Sequence, residues 1–137
     1  MTVNQHASPP AVVVKAFTWA YEELGWSRFQ AAELLSVSES ALVNSQRTGF
    51  ESDSEQYLIQ LAFIRMYHLL YALSEGDNDE MQGWLKQPHA GLSAIPTTLC
   101  NSLNGLQRVV EYLESEQSVD MGESANHVLP VSLADWE

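Results

Sequence analysis

The sequence predicts an all-α chain, and three observations carry that prediction. Proline and glycine fall between periodic segments instead of inside them; no run alternates apolar and polar residues with hairpin signals; and Ser residues stand where helix caps are needed. At 137 residues the chain amounts to one compact domain, or two small ones sharing a core. With 45% hydrophobic residues it has enough apolar side chain to build that core.

The first helix is expected over 11–24, opened by Pro9-Pro10 and closed by Gly25. A second runs over 28–35, where Ser27 and Gln30 have the spacing of a capping box. A third spans 39–47, capped by Ser38 and ended at Gly49. The polar stretch 51–55 leads into a long helix over 55–73, in which only Gln60, Arg65 and His68 between positions 58 and 73 are neither apolar nor aromatic. A helix apolar nearly all round is buried on more than one side, so this one is the central element joining two modules or half of a dimer interface. A shorter helix passes through Trp84 and Leu85 and stops before Pro88. Pro96 opens a helix to about Leu103, Gly105 interrupts, and a last amphipathic helix covers 106–114. Residues 1–10 are read as a flexible N-terminus and 115–137 as an acidic tail that orders on partner binding.

Charge divides the chain unevenly. Residues 1–50 hold three bases and four acids, a net of −1; residues 51–137 hold three bases and fourteen acids, a net of −11, which together make the total of −12. Such asymmetry suggests two modules with different partners. No basic leader precedes the apolar run at 11–14, and no stretch approaches the ~20 apolar residues of a membrane span. The expected location is cytoplasmic, with no membrane partner.

Nothing in the sequence assembles a catalytic group, and the chain is expected not to be an enzyme. Cys100 is the only cysteine and sits, on this reading, mid-helix between Leu99 and Leu103 as a packed thiol. His6, His68, His89 and His127 have no metal-ligand spacing, and the glycines are isolated helix stops, so neither metal nor cofactor is expected.

The stronger signal is 27–42, where a capped helix with small Ala31 and Ala32, a short turn and a second capped helix have the spacing of a helix-turn-helix. Ser38, Ser40, Asn44 and Arg47 form its candidate reading face, with Asn44 suited to adenine and Arg28 and Lys15 to phosphate. The same pair can serve a purely structural purpose.

The order of motifs over about 12–114 resembles the Xre/MbcA/ParS antitoxins. An Xre-like helix-turn-helix (11–50) is followed by a central helix (51–75) and a segment (76–114) carrying Trp84-Leu85, Pro88, Leu92, Pro96 with Leu99, then Gly105, Val109 and Leu113. The resemblance implies an N-terminal helix-turn-helix joined by a long central helix to a small helical toxin-binding domain. It implies an antitoxin that covers the active-site entrance of a cognate RES-type, NAD-consuming toxin, and that as a homodimer binds operator DNA to repress its own operon. Trp84, Leu85, Pro88, Leu92, Ile95 and Pro96 are then the toxin-binding candidates, of which Trp84, Leu85, Leu92 and Ile95 are expected in exposed loops; Trp84 and Leu85 also have a core reading. The rival reading is a stand-alone helix-turn-helix regulator whose second half only dimerises. Where the family commonly places Gly in the helix-turn-helix turn, this chain has Ser36, and a left-handed residue there would be strained by its side chain.

Overall fold

A computed structural model describes residues 9–121, with side chains to residue 116; the expectations for residues 1–8 and for the tail beyond 121 lie outside the described residues. Seven helices are present among them: α1 Pro10–Glu23, α2 Arg28–Leu35, α3 Glu39–Thr48, α4 Glu55–Leu73, α5 Asn78–Lys86, α6 Pro96–Leu99 and α7 Leu103–Met121.

Local chemistry sets their ends. Pro10 starts α1, where its missing N–H costs nothing, and Gly25 at φ 82° lets the chain turn so that the Trp26 N–H reaches the Tyr21 carbonyl at 2.8 Å. The capping box of α2 is complete: Ser27 Oγ accepts from the Gln30 N–H at 3.1 Å and Gln30 Oε1 accepts from the Ser27 N–H at 2.9 Å. Ser38, Ser54 and Asp77 cap α3, α4 and α5 by accepting from the Ala41, Tyr57 and Glu80 amides.

Two boundaries differ from the sequence expectation. Helix α6 is a single turn that ends at Leu99, leaving Cys100 at its C-cap instead of mid-helix. Gly105 does not separate two helices; it lies in the first turn of α7, and the Ser102 Oγ that accepts from its N–H at 3.1 Å marks the start. What requires glycine at 105 is space, since a Cβ there would lie 1.8 Å from the Leu99 carbonyl oxygen. The α6 end and the α7 start pack backbone to backbone. Helix α7 also continues past the expected end at 114, to Met121.

Helix α4 is the axis of the molecule, packed chiefly between α1 and α7, with α2 touching it as well. Phe63, fully buried, meets Phe17 edge-on at 5.3 Å and Trp26 edge-on at 5.1 Å, so the α1–α2 junction closes onto α4 through one ring. On the opposite flank Arg65 donates to Glu114 Oε2 at 2.7 Å, and Cys100 Sγ approaches Met66 Sδ at 3.6 Å, tying α7 and α6 to the same helix. Buried residues from Val13 to Leu113 form one continuous cluster. The two modules thus share a core, with α4 belonging to both. No helix among the described residues is long and apolar enough to cross a membrane.

Candidate protein and nucleic-acid interfaces

The link between α5 and α6 is held as a shaped platform. Its ends are drawn together where the His89 N–H donates to the Ala94 carbonyl at 3.2 Å, and the turn between them is completed by Ser93 in the left-handed region at φ 56°. Leu92 plugs the loop into the core, and the Arg108 guanidinium on α7 donates to the Leu92 carbonyl at 3.0 Å. Thr97 Oγ1 donates to the Leu85 carbonyl at 2.7 Å, fastening the start of α6 to the end of α5.

On this base stands an aromatic stack. Trp84 and His89 lie face to face at 4.3 Å with 30° between their planes, and His89 Nε2 is 3.0 Å from the Trp84 carbonyl oxygen. Tyr112 of α7 flanks both, its centroid 6.2 Å from Trp84 and 6.0 Å from His89. Gly91 permits the approach, since a Cβ at that position would sit 2.3 Å from Tyr112 Cε1. Beside Trp84 an open groove of about 450 Å³ is lined by Leu73, Ser74, Asp77, Asp79, Glu80, Gly83 and Gln87. Nothing lies within 4 Å of a Cβ built on Gly83, so the groove floor is free there. A half-buried Trp set into an acidic groove is suited to an apolar anchor contact with a cationic rim around it.

The structure divides the six expected contact residues. Trp84 is half-buried, Pro88 is exposed, and Ile95 is 37% exposed. Leu85 and Leu92, at 2% and 3%, and buried Pro96 are core residues that support the platform from beneath. The expectation that Leu85 and Leu92 are exposed is therefore corrected; the apolar pattern that marks them reflects packing under the loop. Trp84 and Ile95 also do not share a groove, because Ile95 lines a separate one with Leu24, Trp26, Gln82 and Lys86. The sequence reading passed over His89, Tyr112 and Gly91. His89 is isolated by spacing from any other histidine, and Tyr112 next to Leu113 is the one sign in the sequence that α7 carries an aromatic outside its apolar stripe.

Around the helix-turn-helix, Ser40, Asn44 and Arg47 are exposed and fall at i, i+4 and i+7 on one stripe of α3. Arg28 is exposed in the first turn of α2. Ser38 is exposed too, but its Oγ already accepts from the Ala41 N–H at 3.0 Å, which leaves its hydroxyl proton and one lone pair for another partner. Helix α3 is anchored on α1 by Gln46 Nε2 donating to Thr18 Oγ1 at 3.0 Å. Glu39 stands in the first turn of α3, so the helix carries one acid and one base and no basic concentration.

Cys100 is 2% exposed, and burial pushes its thiol up to about 12, which keeps it protonated and unreactive at neutral pH. Among the described residues no group of three or more His, Cys, Asp or Glu side chains is placed to hold a metal ion.

Residues 69–118 match the family model of the antitoxin Xre/MbcA/ParS C-terminal toxin-binding domain. The matched stretch runs from the last turns of α4 into α7 and encloses the whole platform. No curated protein matches the chain.

Proposed function

We propose that this chain is an antitoxin that binds a cognate RES-type, NAD-consuming toxin through the Trp84 platform and occludes the entrance to its active site. The observation that carries the reading is the coincidence of the matched segment with the acidic groove and aromatic stack. Residues 69–118 hold seven acids and two bases, and the groove beside Trp84 contributes Asp77, Asp79 and Glu80. A toxin that binds NAD needs a cationic cleft for the pyrophosphate, and an acidic surface is steered toward such a cleft and competes for it. Trp84 supplies the apolar anchor, with Pro88 and His89 at its edge. The antitoxin performs no chemistry itself.

A second role belongs to α2 and α3. Arg28, Ser38, Ser40, Asn44 and Arg47 form the surface that meets operator DNA and represses the operon.

The test is co-expression of this chain with the tagged product of the neighbouring gene, followed by pull-down and an NAD-consumption assay. A stable complex with NAD consumption suppressed is the expected result, and Gly83→Arg, which fills the open groove without touching the core, is expected to release the toxin. If the neighbour neither binds nor consumes NAD, the antitoxin reading fails, and a stand-alone helix-turn-helix regulator takes its place.

A further inference from the structure

One apolar side chain stands on the otherwise polar outer face of α3. Val43 is 45% exposed, whereas its neighbour Leu42 is buried in the core. A helix turns about 100° per residue, so Val43 lies about 40° around the axis from Arg47 and about 60° from Ser40, with Asn44 at the far side of the same arc. On its other flank Val43 borders a groove of about 350 Å³ where α1, α2 and α3 meet, into which Thr18, Glu22, Arg28 and Gln46 also face.

Packing alone gives no reason for valine at this position. A β-branched side chain in mid-helix loses freedom against the preceding turn, and one left this far in water recovers little of that by contact. Helix α3 is already anchored by Leu42 in the core and by Gln46 on Thr18. What an apolar group among Ser40, Asn44 and Arg47 can recognise follows from the chemistry of the major groove. The polar edges of the bases are met by the three polar side chains, and the one apolar feature a base pair presents there is the thymine 5-methyl group. Cytosine offers no such methyl, and its exocyclic amine would lose water against a hydrocarbon that cannot accept its proton. Arg28 lines the same groove as Val43, so a guanidinium suited to phosphate stands beside the apolar contact. Glu22 on the α1 wall repels the backbone and leaves Arg28 as the cationic contact of that groove.

We infer that Val43 is a specificity residue, reading one thymine of the operator through its 5-methyl group while Arg28 holds the adjacent backbone. The inference rests on the reading of α2 and α3 as an operator-binding surface, and it is independent of the toxin contact at Trp84.

Fluorescence anisotropy of the full chain at low salt tests it. The DNA upstream of the operon is made in two forms, one with thymine and one with uracil throughout, which differ only in the methyl groups. The wild-type chain should bind the thymine form about fourfold more tightly or better, the effect of burying one methyl group. Val43→Ser should bind both forms alike, at the affinity the wild type has for the uracil form, and Val43→Ile should keep the preference. Matching helical circular dichroism verifies that both variants fold. A wild-type chain that binds the two forms equally overturns the inference and leaves the operator reading standing. A preference that Val43→Ser retains in full also overturns it, because methyl recognition then lies in another residue or in the shape of the duplex. A chain that binds neither form overturns the operator reading and the inference with it.

Discussion

Two residues sit where the fold would be better served by something else. Ser36 closes α2 in the left-handed region, at φ 60° and ψ 41°, a conformation that costs an L side chain about 1–2 kcal/mol. Ser36→Gly removes that strain and returns part of the gain as unfolded-state entropy, so it should raise stability by about 0.5–1 kcal/mol in urea denaturation. Gln60 is fully buried on α4, and neither its Nε2 nor its Oε1 has a hydrogen-bond partner. A buried amide left in this condition costs about 1–3 kcal/mol, and methionine fills nearly the same volume with nothing to desolvate. Gln60→Met should therefore stabilise by about 1–2 kcal/mol, and a loss of stability would mean that the amide is held by something beyond this chain. The Ser36 strain was legible in the sequence, because the turn spacing demanded a left-handed residue and no glycine was there. Gln60 was visible only as a polar break in an apolar run; that it is orphaned depends on what faces it.

At the scale of the helix, the glycines separate what sequence can show from what it cannot. Gly25 ends a helix through local backbone conformation, which a sequence reading captures, whereas Gly49 ends one at φ 76° and also admits Pro10, whose carbonyl carbon would lie 2.2 Å from a Cβ there. Gly105 and Gly91 act through close approach to a neighbouring element, the Leu99 carbonyl at the end of α6 and the Tyr112 ring on α7, and no local pattern announces that. By local pattern Gly105 has the look of a helix boundary, although Ser102 is the cap. The contrast is testable with one substitution type. Gly105→Ala places a methyl against rigid backbone and should cost about 2–3 kcal/mol or more. Gly83→Ala, inside α5 with nothing within 4 Å, should gain about 0.5–1 kcal/mol from helix propensity alone. Thermal denaturation of the two variants side by side checks both signs. The platform obeys the same logic: Trp84 was singled out from the sequence, but its stack depends on His89 and Tyr112, brought to it across the α5–α6 loop by Gly91.

For the whole molecule, the shared core and the divided charge act together. Because α4 belongs to both halves, the nearly neutral helix-turn-helix is held rigidly against a strongly acidic domain instead of being tethered to it by a flexible linker. The bases of residues 1–50 are only Lys15, Arg28 and Arg47, so two copies offer about six phosphate contacts at most, and a salt slope for DNA binding of roughly −5 on logarithmic axes. The net charge of −12 per chain opposes even that, since a polyanion repels the duplex over about a Debye length. A cationic partner seated on the Asp77–Glu80 groove cancels part of the opposing field without touching α3. Affinity for a promoter fragment should therefore rise when the partner is bound, and rise most at low salt where screening is weakest. Fluorescence anisotropy across a salt series, with and without partner, measures this. Equal affinity in both series would mean that the acidic half does not reach the DNA field, and that the reading face on α3 acts alone.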